Sequence, residues 1–247
     1  MEQQSTHGNP WFTVSIGLIG LIVGYSLASG MKVSSGTAQV AQAPTAQAPA
    51  AAPSDQDMTP PSLEGGLVKG EADAPVTLLE FSDVQCPFCR KWVRETEDLI
   101  RKNYVETGKV KVVFRHYPLN FHPGAMPAAM AIECAAEQSA DYGWKMHDAL
   151  FDEQDKKDPS GNMVNFTADD IKTWAKTVSG MNQTTFASCL DSNKYADKIN
   201  QDMADGSAGG ISGTPGFWVL GPDGQQRLIS GAYPYSEFQA AFDEFLN

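Results

Sequence analysis

The stretch "FSDVQCPFCRKW", residues 81–92, sets Cys86 and Cys89 three positions apart around Pro87 and Phe88, directly after the apolar run "VTLLEF". That order of residues spells a buried strand that turns into a helix. Proline suits the first helical turn because it lacks the N–H that would otherwise have no partner. Cys86 then faces the unsatisfied N–H groups and the positive end of the helix, which favours the thiolate, the species that attacks disulfides. Cys89, one turn further and on the buried side, is placed to close back on Cys86.

The flanks support this reading. "APVTLLEFS" (74–82) reads as a buried strand, Pro87 to about Glu106 as a helix with apolar positions Phe88, Trp92, Leu99 and Ile100, and "KVKVVFRHY" (109–117) as an alternating strand. Strand, helix and strand of these lengths make a βαβ unit with a parallel pair of strands. From Pro123 to about Ala208 five segments carry helical spacing, and Thr167 with Asp170 resembles a capping pair. "GTPGFWVLGPDGQQRLISGAYPYSEFQAAF" then reads as strand, turn, strand and a final helix from about Tyr235. The expected fold class is α/β with an all-helical insertion at about residues 120–208.

Two other uses of the cysteine pair compete with redox chemistry. A structural zinc site needs two more ligands, normally a second C-x-x-C. Cys134 and Cys189 instead stand alone on predicted helices, and His7, His116, His122 and His147 have no ligand spacing, so no metal is expected. A purely structural Cys86–Cys89 bridge would close too small a loop to constrain the unfolded chain much. His116 and His122 sit near a strand end and the start of the insertion, where a structural role is expected.

The chain has 247 residues, 42% of them hydrophobic, enough for a sizeable core. Its formal charge of −12 leaves no basic stripe to neutralise phosphates, which argues against nucleic acid. After a tail at 1–10, residues 11–30 are apolar enough to cross a membrane as a transmembrane helix or signal anchor, with a cleaved signal peptide as the competing reading. Residues 31–62, rich in Ala, Pro, Gln and Ser, read as a flexible linker, and the folded part is expected at 63–247.

With the strand, "CPFC", the helical insertion and "GTP" taken together, residues 63–247 resemble the DsbA-like branch of the thioredoxin superfamily, bacterial extracytoplasmic thiol:disulfide oxidoreductases. Glu80, six residues before Cys86, stands where these proteins keep an acidic residue. Thr214-Pro215 matches their cis-proline loop, and "ISGAYPYSEFQAAF" their last strand and helix. The resemblance implies a thioredoxin-like fold with Cys86 as nucleophile, Cys89 as resolving cysteine, Glu80 in proton exchange, Thr214 and Pro215 beside the nucleophile, and Pro87 and Phe88 as modulators. Phe88 departs from the histidine of the best-known members, which implies a less oxidising pair. The resemblance and the even cysteine count further imply a structural Cys134–Cys189 disulfide. They imply no cofactor, reduced extracytoplasmic proteins as substrates, and a quinone-linked membrane partner for reoxidation. The implied location is the bacterial inner membrane, single-pass, with the catalytic domain in the periplasm or outside the cell. A disulfide isomerase or reductase, and a redox-inert chaperone or binding module on the same fold, are the alternatives.

Overall fold

The computed structural model describes residues 58–156 and 166–247. The expected anchor at 11–30 and all but the last residues of the 31–62 linker lie outside them. Among the described residues no helix is long and apolar enough to cross a membrane.

Strand β2 (Val76–Ser82) is the spine, because its seven residues are all buried and both its edges are paired. A strand covered on both faces has no need of polar alternation, which is why "VTLLEFS" reads as a continuous run. It runs parallel to β3 (Val110–His116) and antiparallel to β4 (Gly216–Leu220). β1 (Leu67–Lys69) adds antiparallel to β3, and β5 (Gln226–Ser230) to β4, giving the order β1-β3-β2-β4-β5. β1 is an addition to the sequence reading, its three residues being too few to show a period.

Helix α1 links β2 to β3 and is irregular. It passes from α-helical Pro87–Trp92 to π-helical Val93–Glu97, α-helical Asp98–Ile100 and π-helical Arg101–Val105. Trp92 and Ile100 are buried while Phe88 and Leu99, grouped with them by regular spacing, are exposed: Phe88 sits in the open first turn, and Leu99 follows a wide turn that shifts the inward face. Trp92 packs on Phe217 of β4 and on Phe238 of the last helix, α7 (Tyr235–Leu246), with ring centres 4.7 and 5.8 Å apart. Phe238, Phe242 and Phe245 recur at helical spacing on the buried side of α7 and contribute roughly 2–3 kcal/mol each by burial.

The insertion between β3 and β4 contains α2 (Ala125–Ala136), α3 (Ala140–Gln154), α4 (Ala168–Trp174), α5 (Gln183–Asp191) and α6 (Ala196–Ala208). Thr167 and Asp170 form a reciprocal capping box at the start of α4. The small residues Ala128, Ala131 and Ala135 keep α2 buried in the core. Gly206 lets α6 lie against the sheet, since a Cβ there would meet the Phe81 ring at 2.9 Å. One face of the sheet, with Leu78, Val112, Phe114 and Phe217, looks towards the main core; the other, with Leu79, Phe81, Val113 and Trp218, forms a smaller one.

Candidate active site

The turn after β2 is built by Asp83. Its Oδ1 accepts from the Gln85 N–H at 2.7 Å, and its carbonyl from the Cys86 N–H at 2.9 Å. Its Oδ2 accepts from the Leu119 N–H at 2.9 Å and lies 2.6 Å from His122 Nδ1. This buried carboxylate therefore ties the cysteine turn to the segment that follows β3. Cys86 caps α1 with extended backbone, Pro87 takes the first helical position, and the Arg90 N–H donates to the Cys86 carbonyl at 3.1 Å.

Both cysteines are free thiols here, Cys86 2% and Cys89 0% exposed. Cys86 is lowered from 9.0 to about 6. The chief cause is a hydrogen bond from the Cys89 thiol; the Cys89 and Phe88 backbone N–H groups add to it, and burial opposes. The backbone donors expected at a helix start are present, but the neighbouring thiol outweighs them. Cys89 moves the other way, pushed up by burial and then by the adjacent Cys86 sulfur. Its Sγ still receives the Asp83 N–H at 3.5 Å. The pair thus divides into a ready thiolate and a reluctant one.

Glu80 is 1% exposed, flanked on the sheet by Phe114 and Phe217. Burial raises its pKa well above the usual carboxylate range, and the nearby Glu97 carboxylate raises it further. The Thr214–Pro215 peptide bond is cis, and the Thr214 carbonyl accepts from Cys86 Sγ at 3.4 Å. The Pro215 carbonyl is held by the Gly231 N–H at 2.8 Å. Phe88, 63% exposed, joins Thr214, Gly231, Tyr233 and Pro234 around an open groove of about 440 Å³ next to the cysteine turn. Cys86, Cys89, Glu80, Thr214, Pro215, Pro87 and Phe88 thus lie in one region.

Cys134 and Cys189 lie apart from it, joined by a disulfide that ties α2 to α5. The fold also gathers what linear spacing scattered: donor atoms of His116, Glu133 and Asp202 lie within 4.8 Å of one another. Protein cations already serve this cluster. Lys198 Nζ is 2.8 Å from Glu133 and 3.2 Å from Asp202, and Arg115 donates to Asp202 at 2.6 Å. Sequence reasoning missed Asp83, Glu97 and the tie from His122. Asp83, three residues before Cys86 at a turn, carried a signal in its side-chain acceptor; Glu97 carried none.

A family model described as "Thioredoxin" matches residues 62–244. Disulfide bond formation protein D of Bacillus subtilis (strain 168) is 28% identical over 187 residues, 75% of this chain and 79% of that protein. The Na(+)/H(+) antiporter NhaA 3 of Salinispora tropica is 34% identical over 185 residues, but the match takes in 74% of this chain and only 25% of the antiporter. The chain therefore spans about a quarter of that protein. Among solved structures, oxidised BdbD from Bacillus subtilis superposes with a TM-score of 0.66 at 27% identity, covering 76% of this chain and 97% of BdbD.

Proposed function

We propose that this chain, which belongs to the thioredoxin family, is a thiol:disulfide oxidoreductase of the DsbA-like branch that works as an oxidase, introducing disulfides into secreted or envelope proteins through Cys86 and Cys89. The observation that carries this reading is the split within the pair: a Cys86 thiol lowered to about 6 beside a buried Cys89 pushed up. A low nucleophile pKa stabilises the reduced state, and a stable reduced state makes the disulfide a better oxidant.

A substrate thiolate attacks Cys86 Sγ, breaks the Cys86–Cys89 bond and forms a mixed disulfide, while Cys89 leaves and takes a proton. A second substrate thiolate then attacks the substrate sulfur of the mixed disulfide, which releases Cys86 as thiolate. Two substrate thiols are oxidised and one enzyme disulfide is reduced; one proton stays on Cys89 and the other enters solvent. Glu80 serves the Cys89 proton, Thr214 and Pro215 present backbone to the substrate beside Cys86, and Pro87 and Phe88 tune the nucleophile and line the groove.

The name of the Bacillus subtilis relative, disulfide bond formation protein D, supports this direction. The Cys134–Cys189 bridge supports an extracytoplasmic site of action, since such bonds persist where thiols are oxidised. The reduced enzyme then passes two electrons to a quinone-linked membrane partner, and the anchor at 11–30 keeps it close to one.

The test is a single-turnover transfer to a reduced, unfolded protein carrying two cysteines. The oxidised chain should form that disulfide stoichiometrically, and Cys86→Ala should abolish transfer. A chain that reshuffles wrong disulfides or reduces insulin, yet fails to oxidise this substrate, overturns the oxidase reading in favour of an isomerase or reductase.

A further inference from the structure

The cysteine turn is gripped by residues that the exchange chemistry does not use. Asp83 is 2% exposed, and both halves of its backbone serve the cysteines: its N–H donates to Cys89 Sγ at 3.5 Å and its carbonyl accepts the Cys86 N–H at 2.9 Å. Its side chain sets the shape of the turn between them. Oδ1 accepts from the Gln85 N–H at 2.7 Å, the two-residue reach by which an aspartate fixes a turn that it opens. A carboxylate buried in this role needs donors for its second oxygen as well, because desolvation otherwise works against it.

Those donors come from the entry to the helical insertion. Oδ2 accepts from the Leu119 N–H at 2.9 Å and from His122 Nδ1 at 2.6 Å. A carboxylate only accepts, so Nδ1 carries the hydrogen. His122 is itself fixed. Its N–H donates to the Leu119 carbonyl at 3.0 Å, and its carbonyl accepts the Ala125 N–H at 3.1 Å. The Phe121 ring stands edge-on to the imidazole, 4.5 Å between centres. Beside it the Gly124 N–H donates to Gln85 Oε1 at 2.7 Å, so a second side chain of the turn holds the same segment. Leu119 and Gly124 contribute backbone, which no substitution removes; His122 contributes a side chain.

We propose that His122 is a positioning residue for closure of the active disulfide: by holding the Asp83 carboxylate it keeps the Asp83 N–H on Cys89 Sγ and the two sulfurs aligned for attack. In closure Cys89, its proton given up through Glu80, attacks Cys86 Sγ of a mixed disulfide. The Cys86–Cys89 bond forms, the bond from Cys86 to the outer sulfur breaks, and that sulfur leaves as a thiolate. The two cysteines are thereby oxidised and the outer disulfide is reduced.

The step is sensitive to small displacements, since a ring closes quickly only when the reacting atoms are already in line. The Asp83 N–H also favours the ionised form of Cys89, the form that attacks. A turn that slips therefore loses reach and reactivity at the same sulfur.

The inference rests on the oxidoreductase reading, and the experiment keeps the two apart. Reduced full-length protein is mixed with oxidised glutathione at about pH 8, quenched with acid, and its glutathione adduct counted by mass. Adduct appearance reports attack by Cys86, which is ionised there because it titrates at about 6. Adduct decay reports closure. His122→Leu should leave appearance within about twofold and slow decay about tenfold, the weight of one lost hydrogen bond. His122→Asn, whose side-chain N–H stands in for Nδ1, should restore about half of the wild-type decay rate or more. Asp83→Asn, which trades an acceptor oxygen for a donor, tests the tie from its other end and should also be slow. The double variant should be about as slow as the worse single one, because the two residues act as a unit. Cys134→Ala with Cys189→Ala opens the distant bridge, loosens the fold away from the turn and should leave decay unchanged. Wild-type decay in His122→Leu or Asp83→Asn overturns the positioning role, as does an equal slowing in His122→Asn or in the bridge variant. Wild-type protein that forms no glutathione adduct would instead sink the oxidoreductase reading itself.

Discussion

Lowering the pH from 9 to 6 should destabilise the reduced protein selectively, by an amount the Cys86 environment sets. An unperturbed Cys86 would titrate at 9.0, and in the fold it titrates at about 6. The folded state is therefore the stronger acid. Its advantage over the unfolded chain is complete above pH 9 and is lost as pH falls through 6. Three decades of acidity correspond to about 4 kcal/mol, of which about 1.4 kcal/mol remains at pH 7. For a two-electron couple that remainder is worth about 30 mV towards an oxidising potential at pH 7. Cys86 is 2% exposed, so little solvent screening reduces the figure. Cys89, pushed up by burial, stays protonated throughout this window. The assay is urea unfolding of reduced and oxidised protein at half-unit steps of pH. The oxidised form has no Cys86 to titrate and cancels the carboxylates and histidines common to both. A difference between the two curves that stays flat from pH 6 to 9, within about 1 kcal/mol, would refute the assignment of a stabilised Cys86 thiolate.

Cys89→Ala removes the thiol that is the chief cause of the lowered Cys86 pKa; iodoacetamide kinetics should find a Cys86 thiol at least about tenfold weaker as an acid. Phe88→His adds a hydrogen-bonding ring beside the nucleophile, and glutathione equilibria should place its potential at least about 30 mV higher, whereas an equal or lower value contradicts this. Replacing Cys134 and Cys189 together by alanine opens a 55-residue loop and should cost about 4 kcal/mol in urea unfolding, with Cys86 alkylation unchanged. Arg115→Met leaves the buried Asp202 carboxylate with only Lys198 as cation and should cost about 3 kcal/mol, much of it recovered by adding Asp202→Leu.

Periodicity made most of the fold legible before the structure. A continuous apolar strand, a helix opened by Pro87 and an alternating strand leave few arrangements, and the five helical segments between the alternating strand and the closing strand pair can only be an insertion. The same reasoning could not see β1, whose three residues show no period, nor the wide turns of α1 that send Leu99 outward. In the site, residues adjacent to the cysteines or fixed by local turn chemistry were readable. Glu97 and Lys69 were not, because their meeting depends on strand register and on a helix out of regular phase. His122 was readable as a polar residue near a strand end, but its tie to Asp83 crosses 39 positions of sequence.

Cys86 and the carbonyl that receives its thiol hydrogen are 128 residues apart. A chain that emerges from its N-terminus therefore displays its reactive sulfurs well before the loop that shields them. Cys134 also arrives ahead of Cys189. Of the partners available at that moment, Cys86 and Cys89 are separated by the shortest segment and meet most often. Chain order thus brings the two reactive sulfurs within reach of each other before Cys134 emerges, and leaves Cys134 a further 55 residues to wait for its own partner.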